Sequence, residues 1–400
     1  MDKNEFGGAT HPSDIPAVRA SSRPDVDAPL VWLLLGERQG DNAQVRALGL
    51  ALNWRCEVKH VYFDESCPVP FSKRGASLIG LDLARSSPLE APWPDVVLAV
   101  GRRPAAISQW IKKQSGGRAL SIHLGRARDA IENFDLILTT PQYALPPSPN
   151  VLELTFPITY LDEAVLEAAA REWTPRLCHL PRPWTALFVG GPTTQMRFDR
   201  EVARDLLDKA LTHIDGKGSL LVTTSPRTDA DTCDLIERQI QIPHFMFRWS
   251  RTGANPYLAF LNLADSFIVT NDSPSMVADL VDRRRPVFLY EIPFKEKVET
   301  AGVAQFMRQQ FRRRRQRRQS SGLTPDPIDR IYDYLMRHGM ARPRRNASAF
   351  TQRIYGLEAA RPLGSVAAPT DTGVNRHVTE EERNLVVARI KQIHAAKRRG

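Results

Sequence analysis

The sequence predicts an α/β fold: two Rossmann-like, doubly wound parallel sheets facing a cleft, with a helical C-terminal extension. Three observations carry this reading. Short continuous apolar runs, such as Val31 to Leu35 and Val96 to Val100, have the length and composition of strands buried on both faces. Between such runs lie stretches with apolar residues at helical spacing, and this alternation is the pattern of a parallel sheet with crossover helices. The series breaks once at a proline-rich stretch and then restarts, which suits a chain of 400 residues when one domain takes about 100 to 200.

In order along the chain, residues 1–28 carry Asp, Pro, Ser and Gly without an apolar run and read as a disordered leader, neither secretory signal nor transit peptide. The first strand, Val31 to Leu35, meets the loop Gly36-Glu-Arg-Gln-Gly-Asp41 and a helix from Gln44 to Leu52. Glu57 to Phe63 and Pro94 to Val100 follow as strands, and Arg102 opens a helix with Pro104 near its start. Ala119 to Leu124 and Phe134 to Thr139 complete the first series, 29–160. Four prolines between Pro141 and Thr155 interrupt the pattern, and Leu161 to Trp173 reads as helix.

The second series, 161–300, restarts at Thr185 to Val189 and runs through a helix over Arg200 to Thr212, a strand over Ser219 to Thr224, and a helix over Asp229 to Ile240 capped by Asp229 or Thr228. Phe245 to Trp249, a helix from Pro256 to Leu263 and a strand from Ser266 to Thr270 come next. A helix then starts near Pro274 with Ser273 as its cap, and Arg285 to Tyr290 is the next strand. Residues 301–400 read as a helical, basic extension, with helices at Ile328 to His338 and at Thr379 to Ala396, the latter capped by Thr379.

Composition excludes several classes. No apolar run reaches the roughly 18 residues of a membrane-spanning helix. Cys56, Cys67, Cys178 and Cys233 lack Cys-x-x-Cys or Cys/His spacing, which argues against a zinc site and a disulfide framework and fits a reducing, cytoplasmic setting. The formal charge is +10, but Arg308, Arg312 to Arg315, Arg317 and Arg318 supply +7 of it. Such a run suits an anionic membrane surface or, less well, nucleic acid; a solvated helix face or disordered insert explains it equally.

Candidate sites lie where strands end, because open α/β sheets bind ligands at their carboxyl edge. The turn Asn271-Asp272-Ser273, with Ser275 and Met276 behind it, presents the N–H groups of a helix start, an anion-friendly place. Gly190-Gly191-Pro192 and Ser225-Pro226-Arg227-Thr228 occupy equivalent strand ends; together the three loops supply backbone N–H groups, hydroxyls and Arg227 to a diphosphate, with Asp279 one turn further on for ribose hydroxyls. In the first series Gly36, Arg38, Gly40 and Gln44 and, after the third strand, Arg102 and Arg103 are candidates for an acceptor or phosphate. The first loop lacks the full G-x-G-x-x-G fingerprint and a Walker lysine, which argues against a Rossmann dehydrogenase or P-loop enzyme. Asp41 is the candidate catalytic base. His60 and His123 read as satisfied core residues, and no metal-ligand set is evident.

Gly36-x-Arg38-x-Gly40-Asp41-x-x-Gln44, Val100-Gly-Arg-Arg103, Gly190-Gly191-Pro192, Ser225-x-Arg227-Thr228, Asn255-Pro256-Tyr257 and Thr270-x-Asp272-Ser273-x-Ser275-Met276, in that order, resemble the Elm ("elongated mitochondria") mitochondrial-fission family, common in bacteria. The resemblance covers roughly residues 30 to 345. It implies a GT-B glycosyltransferase-like fold, the second half holding a nucleotide-diphosphate sugar as donor substrate and the first an envelope or lipid-linked acceptor, with no tightly bound cofactor and a place in the cytoplasm or against the inner membrane. The alternative it implies is a non-catalytic adaptor of the mitochondrial-fission type acting at a membrane surface. Three positions depart from the family pattern: Pro226 replaces an Arg, Asp279 a Glu, and Asp282 to Arg285 a Gly-Lys turn.

Overall fold

The computed structural model describes residues 28–69, 74–126, 129–250, 252–295, 327–339, 346–365 and 378–399. The expected leader up to residue 27 and the Arg308 to Arg318 run lie outside the described residues.

The first sheet contains β1 (Leu30–Leu35), β2 (Arg55–His60), β3 (Val96–Val100), β4 (Leu120–Leu124), β5 (Leu136–Thr139) and β6 (Val151–Glu153), with α1 (Gln39–Leu52) and α2 (Arg102–Gln114) among its connections. Its order is β2-β1-β3-β4-β5-β6, all parallel. Strands β1, β3 and β4 are buried throughout, which is why β1 and β3 are continuous apolar runs; β4 also buries Ser121 and His123. β6 pairs with β5, Val151 beside Ile137. It sits in the proline-rich stretch where no strand was expected, since three residues are too few to show a period.

Residues 154–162 carry the chain to α3 (Glu163–Leu177), which packs on α6 (Tyr257–Leu263). The second sheet contains β7 (Trp184–Phe188), β8 (Ser219–Thr223), β9 (His244–Phe247), β10 (Ser266–Thr270), β11 (Val287–Tyr290) and β12 (Arg361–Pro362), in the order β12-β11-β10-β7-β8-β9 and again all parallel. Helices α4 (Arg200–Ile214), α5 (Ala230–Gln239) and α7 (Pro274–Asp282) complete it. Asp199 and Asp229 cap α4 and α5 by accepting from the N–H groups of Val202 (3.1 Å) and Thr232 (2.8 Å), which settles the choice between Thr228 and Asp229.

The C-terminal elements are α8 (Pro327–Arg337), α9 (Ala347–Gly356) and α10 (Val378–Arg399). They are more than an appendage. β12 lengthens the second sheet, α9 inserts Phe350 and Ile354 into the second core, and α10 inserts Val386 and Ile390 into the first. Each fully buried side chain of this size contributes about 1.5–3 kcal/mol relative to exposure. Thr379 does not cap α10. It lies within the helix and donates to Asp282 at 2.6 Å. Two doubly wound parallel sheets, with the last helix returning to the first, make the GT-B-like arrangement the sequence predicts.

Each sheet reverses its winding once: between β1 and β3 in the first, between β7 and β10 in the second. Those switch points open crevices at the carboxyl edge, where loops diverge to opposite faces. The residues after β1 and β3 (Gly36 to Asp41, Gly101 to Arg103) flank one crevice. Gly190-Gly191 and Asn271 to Met276, after β7 and β10, flank the other.

Candidate functional site

The second crevice is knitted by hydrogen bonds among all three predicted loops. The Gly190 N–H donates to the Thr270 hydroxyl at 2.8 Å, and the Thr228 hydroxyl donates to the Gly190 carbonyl at 2.6 Å. Within the middle loop, the Ser225 N–H donates to the Thr228 hydroxyl (3.0 Å) and the Arg227 N–H to the Ser225 hydroxyl (3.2 Å). Asp272 is at the centre: its side chain is fully buried, and its Oδ2 accepts from Arg227 Nη2 at 2.6 Å and from the Gly191 N–H at 3.3 Å. Its Oδ1 has no hydrogen-bond partner among the described residues. The Arg227 side chain stays 41% exposed, so the buried carboxylate holds a guanidinium whose outer part faces solvent.

Both glycines are required by proximity. A Cβ on Gly190 would lie 2.0 Å from Asp272 Oδ1, and one on Gly191 would lie 2.6 Å from the Arg227 carbonyl. Asn271 is buried and structural in its contacts, accepting from the Ile292 N–H at 3.0 Å and donating to the Thr351 hydroxyl at 3.3 Å. Ser273 precedes α7 as expected, but its side chain makes no capping bond. Ser275 and Met276, in the first turn of α7, are half-buried. Asp279, expected to face ribose, has both oxygens engaged: Oδ1 accepts from the Thr159 hydroxyl and Oδ2 from the Tyr257 hydroxyl at 2.8 Å. Burial pushes its pKa up to about 6, with Asp282 adding to the effect and the two hydroxyls opposing it.

At the first crevice α1 starts at Gln39, so Gly40 and Asp41 belong to its first turn instead of a loop. Asn42, a residue the sequence reading passed over, closes the preceding turn: its Oδ1 accepts from the Gly36 N–H (2.9 Å) and its Nδ2 donates to the Gly36 carbonyl (2.8 Å). A short amide directly after a glycine-bracketed turn was the available signal. Asp41 is half-buried beside Gly101, where a Cβ would lie 3.6 Å from its Oδ2; Gly101 itself has φ 81°, a conformation suited to glycine. Arg38 and Arg102 are exposed. Arg103 is paired with Glu65 (Nη2 to Oε2 2.8 Å) and lies over the Phe63 ring. Next to it, Glu37, Phe63, Asp64, Glu65, Leu81, Asp82, Leu83 and Arg85 line an open groove of about 560 Å³. These acids also went unread in the sequence, although Asp64 and Glu65 come directly after a strand run.

The two crevices meet at a contact between α1 and α7. Gln44 Nε2, from α1, donates to the Ser275 hydroxyl of α7 at 3.2 Å. Predicted acceptor-side and donor-side residues are thus brought together across the cleft.

Two expectations for histidines change. His123 is buried in β4, but neither ring nitrogen has a hydrogen-bond partner among the described residues; burial pushes its pKa down to about 3, so it stays neutral. His60 is exposed, because β2 is an edge strand. Among the described residues no group of His, Cys, Asp and Glu has the arrangement to hold a metal ion, and no helix is long and apolar enough to cross a membrane.

Among solved structures the chain is similar to the UDP-GlcNAc 2-epimerase of Neisseria meningitidis bound to UDP-GlcNAc, at 10% identity and a TM-score of 0.40, covering 82% of this chain and 99% of that one. It is similar to HepE of Anabaena in complex with UDP and glucose, at 9% identity and a TM-score of 0.40, covering 82% and 98%. In sequence it is 25% identical over 231 residues to the mitochondrial fission protein ELM1 of Arabidopsis thaliana; the match covers 52% of this chain and 54% of that protein, so the chain spans about half the length of this curated relative. The family model described as mitochondrial fission ELM1 matches residues 39–331, well over half of the chain, and the protein belongs to that family.

Proposed function

We propose that the second crevice binds the diphosphate of a nucleotide-sugar and that the protein transfers the sugar to an envelope or lipid-linked acceptor at the edge of the first sheet. The observation that carries the reading is the convergence of the three strand-end loops on Asp272, which holds a part-exposed Arg227 beside the start of α7. A helix N-terminus carries roughly half a positive charge, and a guanidinium beside it adds a fork that matches phosphate oxygens. Gly190, Gly191, Ser225, Thr228, Ser273, Ser275 and Met276 form the remainder of this proposed wall. Asn271 and Asp272 support it from within.

In the proposed transfer the acceptor hydroxyl oxygen bonds to the anomeric carbon while the bond from that carbon to the diphosphate breaks. The hydroxyl proton passes to Asp41, and Arg227 with the α7 N–H groups neutralises the departing diphosphate, a metal-independent scheme. The contact between Gln44 and Ser275 supports it, since it brings the base-bearing helix against the donor-side helix. Titration calorimetry with UDP-, GDP-, CMP- and dTDP-sugars tests the reading. At least one should bind, and Arg227→Ala should weaken it by about tenfold or more, the value of a charge-assisted hydrogen bond. No heat with any of the four overturns the proposal.

A further inference from the structure

Asp279 lies four residues after Ser275, so the two share one face of α7. Both touch the first half of the chain. Ser275 meets Gln44 of α1, and Asp279 accepts from Thr159, in the segment that carries the chain between the sheets. Its other oxygen accepts from Tyr257, whose ring stands edge-on to Phe188 at the end of β7, with centroids 5.4 Å apart. The carboxylate therefore joins three parts of the fold: the connecting segment, α6 and α7.

That segment is gripped from the other side as well. Glu382 of α10 accepts from the N–H groups of Thr155 (2.6 Å) and Phe156 (3.3 Å), and Arg383 donates to the Thr159 carbonyl at 2.9 Å. Next to Asp279, Asp282 accepts from Thr379 of α10, and Arg283 is paired with Glu163 of α3 at 2.6 Å. A ribose would have to displace Thr159 or Tyr257 to reach the Asp279 oxygens. Doing so would free two hydroxyls in a closely packed joint.

We propose that Asp279 is a positioning residue, the anchor of the joint between the two sheets, acting on Thr159 and Tyr257 instead of on a nucleotide ribose. It fixes one end of α7 against the connecting segment and so sets the separation at which Ser275 faces Gln44. The inference is independent of the nucleotide-sugar reading.

Amide hydrogen exchange across residues 154–162 tests it, measured on the full chain as wild type, Thr159→Val, Tyr257→Phe, Asp279→Asn and the Thr159→Val/Asp279→Asn double variant. Each single change should speed exchange there by roughly tenfold with β8 unaffected, and the double variant should add little, because the two residues form one contact. In parallel, UDP and inorganic pyrophosphate are titrated into wild type and Asp279→Asn; any loss should be equal for both. Wild-type exchange in Thr159→Val and Tyr257→Phe, together with a loss of UDP affinity alone in Asp279→Asn, would overturn the anchor and restore the ribose role. A protein that binds neither probe defeats the nucleotide reading, and exchange still decides the joint.

Discussion

Asp272 is buried with one oxygen unpartnered, and its environment determines what its neighbours tolerate. Gly190→Ala drives a methyl into that carboxylate and should cost about 1–3 kcal/mol, seen as a lower denaturant midpoint at unchanged slope. Arg227→Ala leaves the buried carboxylate without its counter-ion and should cost about 2 kcal/mol, less than for a fully buried pair because Arg227 is part-exposed. In an Asp272→Asn background the same change should cost little, and a double-mutant cycle by urea unfolding checks the difference. Asp279 gives a pH dependence. Its folded pKa of about 6 exceeds the ~3.9 of an unfolded aspartate, so its favourable contribution is complete below pH ~4 and is lost as pH rises through about 6. At ~1.4 kcal/mol per tenfold change in proton affinity the loss is at most about 3 kcal/mol, and Asp279→Asn should flatten that part of the stability profile. The candidate site residues were legible as residue types at strand ends, which is why Gly190, Arg227 and Asp272 are candidates. Their division of labour was not. Whether a carboxylate turns to a ligand, an arginine or two hydroxyls depends on partners 22 to 120 positions away, such as Arg227 for Asp272 and Tyr257 and Thr159 for Asp279.

Elements repeat the lesson with different limits. Strands β1 and β3 announce themselves because burial on both faces demands unbroken apolar runs, β7 and β10 through β-branched and aromatic residues around an apolar centre, and α5 through the aspartate that caps it. β6 and β12 were invisible, since each is too short to carry a period and borrows its conformation from the neighbour it pairs with. α10 was readable as a helix, but its destination was not; mean hydropathy and spacing do not say which core Val386 and Ile390 enter. Glu382 makes the destination testable. Glu382→Ala deprives the Thr155 and Phe156 N–H groups of their acceptor and should cost about 1–3 kcal/mol, with thermal unfolding as the measurement. Glu382→Gln keeps one acceptor and should cost less.

At the scale of the molecule, the sequence reading of two sheets facing a cleft matches the winding of both, because alternation of strand and helix fixes that topology almost alone. The chain does not respect the division it implies. It crosses between the sheets at residues 154–162, and then α10 comes back to complete the first core from the far end of the sequence. Spatial unit and contiguous segment are therefore different things here. A fragment of residues 28–160 alone should aggregate or stay unfolded by circular dichroism, its surface around Leu48, Leu154 and Ile158 stripped of cover, whereas co-expression with residues 327–400 should rescue it as a two-chain complex. The return of α10 closes the chain on itself without a covalent bond: a helix made long after the first sheet supplies side chains that complete that sheet's core.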